Sequence, residues 1–248
     1  MSNMTDLEED WFNFCDGNDI SNDNLEPKDK KGKIIDEITI PKCSDIYIST
    51  KTKIAFLNCQ INLYEIFWKI IVNEYHNPIE GVIKKQMKFN SNSVEELENI
   101  KTKLNDLHKN DHIDEYVLNH IDNPNGRIKF KDVRKISVGL SKKDITSYRC
   151  KKKSAFYNCF VLIIRLLNNN IFKEIHVKIF NTGKLEIPGI QNDEIFNQIL
   201  NLILNILKPF TNKNLDYLKK SETVLINSNF NCGYYIDRDK LYYILKNK

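Results

Sequence analysis

The sequence predicts an α+β fold, an antiparallel sheet with helices on one face. Three observations predict it. Residues 45–57, 174–180 and 184–189 alternate apolar and polar side chains with the two-residue period of half-buried strands. Asn181-Thr182-Gly183 joins the last two as a tight hairpin, with Gly where a positive φ costs little. Residues 193–207 then carry an apolar stripe at helical spacing, which suits them to cover one sheet face.

The elements follow in order. Residues 1–40 are polar and acidic, with one aromatic cluster at Trp11-Phe12-Phe14, and read as a disordered tail. In 45–57, Ile46, Ile48, Thr50, Thr52, Ile54 and Phe56 share one face, which predicts that face as buried and Lys51 and Lys53 as outward. Residues 62–75 place Leu63, Ile66, Phe67, Ile70 and Ile71 on one helical stripe, closed by Asn77-Pro78. A short strand, 81–89, comes next. Residues 90–153 are charged, with a helix over 94–107 and a turn at 123–126, and read as an insertion ending in a basic stretch at 142–153. Residues 156–166 are a continuous apolar run, and Asn168-Asn169-Asn170 turns the chain into 174–180. Asn192 caps the helix 193–207, whose acidic first turn suits its positive end. Residues 222–236 predict a strand and 237–247 the start of a helix, repeating the order seen at 45–75 after about 175 residues.

Composition narrows the function. The chain has 248 residues, 41% hydrophobic and 10% aromatic, enough for a packed core. Its 32 Lys, 32 Asn and 34 Ile have AT-rich codons, so the lysine excess over five Arg reports on the genome before it reports on a ligand. Charge is unevenly placed: residues 1–30 hold nine acids and two bases, the rest 24 acids and 35 bases. An acidic arm on a basic body is an asymmetry of nucleic-acid binders. Six scattered cysteines form no CxxC pair, which predicts reduced thiols and no metal site. No signal peptide is visible, and the longest apolar stretch is too short to span a bilayer, so an intracellular protein without membrane contact is expected. There is no phosphate loop, HExxH or nucleophile elbow, so neither an enzyme nor a cofactor is expected.

Several motifs carry a resemblance. "KIFNTGKLEIPG" (178–189) is similar to the "LIF-S-SGK-MVCTG" hairpin of the TATA-box-binding protein family, with Phe180, Gly183, Lys184 and Gly189 in matching places. "LNCQINLYEI" resembles the family's "LGCKLDLKTI", and "NEYHNP" its "AEYNPK". The order of strand, helix, antiparallel strands, long helix and a second start also resembles the family. The composition and insertion look like the divergent versions carried by large DNA viruses. The family plan divides the chain into a first repeat at 41–210 and the opening of a second at 220–248, apparently truncated.

The resemblance implies a curved saddle whose open face binds the minor groove of AT-rich promoter DNA, with apolar wedges between base steps. It implies partners too, a TFIIB-like factor or RNA polymerase subunits, and a location in the host nucleus, a viral factory or the virion. Phe180 is the expected wedge. The second wedge is expected at Phe160, with Phe156 and Tyr157 as alternatives. Lys184 and Arg165 match basic positions, and Lys178 shares the face of Phe180. On the first strand, periodicity points Lys51 and Lys53 at DNA, whereas the resemblance favours Thr50 and Thr52. Asn227 or Asn229 would read base acceptors. Glu186 and Pro188 stand where the family has small β-branched residues, and a carboxylate there is repelled by DNA unless a lysine pairs it. A degenerate protein-interaction module is the alternative reading. The acidic aromatic segment 6–16 is expected to lie on a partner or on the protein's own basic face.

Overall fold

The computed structural model describes residues 42–107, 112–147, 158–211 and 214–247. The chain divides after Pro41, and the fold described is that of the unit beginning at Lys42. The acidic tail, and with it the docking of residues 6–16, lies outside the described residues.

Strand β1 (Tyr47–Leu57) leads into helix α1 (Leu63–Lys69) and strand β2 (Gly81–Ser91). Helix α2 (Val94–Asn105), the hairpin β3 (Ile113–Asp122) and β4 (Phe130–Gly139), and the short helix α3 (Lys142–Thr146) follow. Then come β5 (Cys159–Asn168), β6 (Ile171–Phe180), β7 (Lys184–Ile190), helix α4 (Asp193–Leu207), β8 (Tyr217–Asn229) and α5 (Arg238–Lys246). The eight strands form one antiparallel sheet in the order β3-β4-β2-β5-β6-β7-β1-β8. The sheet is curved and does not close.

Alternation assigns its faces. Phe160, Leu162, Ile164 and Leu166 of β5, Ile175, Val177 and Ile179 of β6, and Leu185 and Ile187 of β7 all enter one core. Helix α4 covers it with Ile195, Phe196, Ile199, Leu200, Ile203, Leu204 and Leu207. Each fully buried side chain of this size contributes roughly 1.5–3 kcal/mol. Asn192 accepts a hydrogen bond from the Ile195 amide and starts the helix as its sequence predicts.

The first strand reverses its expected faces. Ala55 and Leu57 enter the helical core, and Lys53 lies with them, nearly buried. The Lys53 ammonium reaches Asp193 of α4 at 2.6 Å and lies 4.4 Å from the centre of the Phe196 ring. A lysine stem long enough to cover apolar surface while its head meets an acid satisfies an inward position that a hydropathy pattern scores as outward. Thr50, Thr52, Ile54 and Phe56 therefore take the open face.

Helix α1 is also shorter than its apolar stripe. Ile70 is already extended, and the Asn73 amide pairs with the Val82 carbonyl, so the chain has turned towards β2. Lys85 accounts for the end. Its side chain is 2% exposed, and its ammonium donates to the carbonyls of Phe67 at 2.8 Å and Ile70 at 2.6 Å. A cation there satisfies orphan carbonyls and complements the negative end of the helix.

The charged stretch after β2 is built into the sheet. Helix α2 buries Leu97 and Ile100, and β4 pairs with β2 to extend the sheet by a hairpin. Asp132 of β4, fully buried, accepts from Arg134 and lies 2.8 Å from His120 Nδ1. Burial alone would raise the Asp132 carboxyl, but hydrogen bonds from Arg134 and His120 outweigh it and hold it below the ordinary carboxylate range.

The strands that open the two similar motifs lie side by side at one end of the sheet, with β8 as its edge. β1 and β8 pair antiparallel, each followed by an Asn-Cys pair and a helix. At one end the Asn58 amide donates to the Asp216 carbonyl, and at the other the Ser44 amide donates to that of Asn231. β8 is exposed except near its start, and α5 buries no residue.

Two outcomes test these contacts. Lys85→Met, which keeps the apolar stem and strands two carbonyls, is expected to lower stability by about 1–3 kcal/mol in urea titration. The depressed Asp132 carboxyl contributes stability that is present above about pH 4 and is lost as pH falls through its folded value. Asp132→Asn is expected to cost about 2 kcal/mol at pH 7 and to flatten the acid limb of a stability–pH curve.

Candidate nucleic-acid interface

Among the described residues, α1, α2 and α4 lie on the core side, which leaves the opposite face of β6, β7, β1 and β8 open. An antiparallel sheet tolerates one uncovered face. Cross-strand register brings Lys178 beside Glu186, Lys184 beside Phe56, Glu186 beside Ile54, Thr52 beside Leu225 and Thr50 beside Asn227.

Phe180 stands at the end of this face, half-exposed, at the last position of β6. The Lys184 ammonium lies 5.4 Å from its ring centre, within cation–π range. The hairpin between them is held from below. Gly183 donates to the Phe180 carbonyl, its own carbonyl accepts from Leu57, and Asn181 accepts from Ile61. Gly183 has φ +84°, and a Cβ there would sit 2.4 Å from the Cys59 carbonyl oxygen. Only glycine fits so close an approach.

Several expected positions lie elsewhere. Phe160 is fully buried on the core side, with its ring 5.6 Å from that of Phe67. The residue across from Phe180 is Cys159, 3% exposed. Burial pushes its thiol up to about 11, an effect Glu186 reinforces and Lys178 opposes. Phe156 and Tyr157 lie outside the described residues. Arg165 takes the open side of β5, but its guanidinium donates to the carbonyls of Asn77 at 2.8 Å and Tyr75 at 2.9 Å and lies over the Tyr75 ring. It fastens the 71–80 loop instead of facing solvent. Lys53 is paired with Asp193, and Lys51, opposite Ile226, shares the helical side with it.

The remaining positions do converge. Asn227 donates its side-chain amide to the Thr50 hydroxyl at 3.0 Å, so the central pair of strands presents an amide and a hydroxyl together. Asn229 lies opposite Tyr47. Lys178 binds Glu186 at 2.6 Å, with both side chains about a quarter exposed. The carboxylate on this face therefore has the partner it needs, and the pair is locally neutral.

Cys159 was missed by reasoning from composition, yet a signal existed. Asn169 and Asn170 both have positive φ, a two-residue turn of the kind that fixes hairpin register. Counting back from that turn puts Cys159 opposite Phe180. In the native protein, exposed Cys43 is expected to react quickly with a thiol reagent at pH 8, and Cys159 only as the fold opens. Equal rates in residue-resolved labelling would contradict this burial.

No helix among the described residues is long and apolar enough to cross a membrane. The sequence matches no family model, and no solved structure matches it. It is 30% identical over 118 residues to a TATA-box-binding protein-like protein of Acanthamoeba polyphaga mimivirus, a match covering 41% of this chain and 32% of the relative. The matched part thus spans about a third of that relative's length. The match agrees with the curved antiparallel sheet with helices on one face. On sequence and fold together, the chain is similar to a viral TATA-box-binding protein-like protein.

Proposed function

We propose that the open face of β6, β7, β1 and β8 binds the minor groove of AT-rich promoter DNA, and that the protein is a non-enzymatic initiation factor that recruits transcription machinery. The observation that carries this reading is Phe180, an aromatic side chain braced by Lys184 on an open face that Thr50 and Thr52 also line. Such a face suits a groove: small and apolar side chains meet its floor, Phe180 enters a base step, and Lys184 meets a phosphate. The Thr50 hydroxyl and the second amide hydrogen of Asn227 are donors suited to the N3 and O2 acceptors of A·T pairs. The Lys178–Glu186 pair removes the objection that a carboxylate on this face would repel DNA. A TFIIB-like factor or RNA polymerase subunits are the proposed partners, and the nucleus or a viral factory the proposed place of action.

The same pair also favours a second reading. A neutralised sheet face with one aromatic is a surface for a protein, and a module without DNA specificity would use it so.

Gel shifts at physiological salt separate the two. Binding to AT-rich duplex is expected to exceed binding to GC-rich duplex, with Phe180→Ala weakening it at least about tenfold, as loss of a wedge predicts. Lys184→Ala is expected to reduce the slope of log affinity against log salt by about 0.9. Equal affinity for both duplexes would refute the DNA reading. Partner capture by a Phe180→Ala/Lys184→Ala variant, with no DNA binding by the wild type, would establish the other.

A further inference from the structure

We infer that the short segment Ser141–Ser147 is a strap across the outer part of the open face, and that Asp144 sets the boundary beyond which DNA makes no contact. The inference rests on the DNA-binding reading above and concerns how far the footprint extends. It starts from alternation on β2. Lys85 points into the core at the end of α1, so its neighbour Lys84 points to the open face. There the Lys84 ammonium meets the Asp144 carboxylate of α3 at 2.6 Å. The second Asp144 oxygen accepts from the Ser141 amide at 2.8 Å and the Ser141 hydroxyl at 2.6 Å. One carboxylate therefore both caps the segment and ties it to the sheet.

A second tie lies two strands away. The Lys142 amide donates to both carboxylate oxygens of Glu174 on β6, at 3.1 and 3.0 Å. Lys84 is paired with Ile163 of β5, and Arg165 of β5 with Glu174, so the two ties straddle β5. Ile163 belongs to the open face by register and is nevertheless buried. A surface that would otherwise meet a groove is thus occupied by the strap's backbone and Asp144, with Lys142 and Lys143 of the same segment exposed beside it. Burial would raise the Asp144 carboxyl, but hydrogen bonds from Lys84 and Ser141 hold it below the ordinary range, so it is charged at neutral pH.

Two cations of the outer strands are taken in the same way. Lys84 is held by Asp144, and Arg165 by the carbonyls of the 71–80 loop. On the inner strands, Lys184 lies over Phe180 at the end of the face. A polyanion would gain Lys184 directly, but would gain Lys84 only by displacing a carboxylate already seated 2.6 Å from it. That exchange brings little net electrostatic gain and places Asp144 against the phosphates.

The test uses the full chain and AT-rich duplex, with Asp144→Asn, Lys84→Gln and the double variant. Asp144→Asn is expected to release Lys84, to steepen the salt slope by about 0.9, and to lengthen the hydroxyl-radical footprint on the side of β2. One added phosphate contact makes affinity fall roughly 3.5-fold further between 50 and 200 mM salt. The double variant is expected to return to the wild-type slope, since the released cation is gone. Melting of α3 in Asp144→Asn, read by hydrogen exchange, counts as release and leaves these expectations unchanged. A wild-type slope and footprint for Asp144→Asn, beside wild-type protein that does bind AT-rich DNA, overturns the strap and spares the DNA reading. Wild-type protein that does not discriminate AT-rich DNA overturns the reading itself, and the strap's role falls with it.

Discussion

Helix α4 lays seven buried side chains against one face of the sheet, and the rest of the molecule is arranged around which face it takes. Once Ile175, Val177, Ile179, Leu185 and Ile187 meet that helix, alternation sends Lys178, Phe180, Lys184 and Glu186 to the other side. A shift of one residue would exchange these two sets, burying two lysines and a glutamate and exposing the core. The hairpin turn at Gly183 and the register of β7 with β1 prevent that shift. The open face exists because the covered face is filled.

Charge is managed within this arrangement by pairing. Lys53 enters the helical side and meets Asp193, and Lys85 enters deeper and caps α1. On the open side, Lys178 meets Glu186, Lys84 meets Asp144, and Arg165 holds a loop. Part of the basic body suggested by composition is therefore an internal scaffold of ion pairs and carbonyl contacts. For a ligand on the open face, the position of the remaining cations matters more than their number.

Much of this was legible in the sequence. The hairpin 174–189, its core residues and the helix that covers them follow from simple periodicity, because each side chain there obeys its own hydropathy. The open-face position of Phe180 follows from the same count. The reading of β1 failed for the opposite reason. Lys53 is polar in its head and apolar in its stem, and Thr50 and Thr52 are ambiguous, so alternation alone assigned the wrong face. Arg165 was legible as a cation but not as a fastener, because its acceptors are backbone carbonyls about ninety residues earlier, which no local pattern records. The stretch after β2 lacked a strong apolar face because β3 is an edge strand and α2 buries only two residues. Phe160 was misplaced because a continuous apolar run has no visible period, and only the two-asparagine turn revealed its register.

The pairing of β1 with β8 has a consequence for how the molecule opens. β8 is joined to the rest chiefly through its ladder with β1, and α5 adds no buried side chain. Backbone ladders without side-chain burial yield to local fluctuation before a core does. Strand β1 therefore has two unequal neighbours: β7, locked under α4, and the edge strand β8, held largely by main-chain bonds. Opening at that seam would uncover Thr50 and Thr52 along their whole edge while leaving Phe180 and its hairpin intact. The β1–β8 seam is thus where the sheet yields first, and the strands that carry the aromatic are its firmer side.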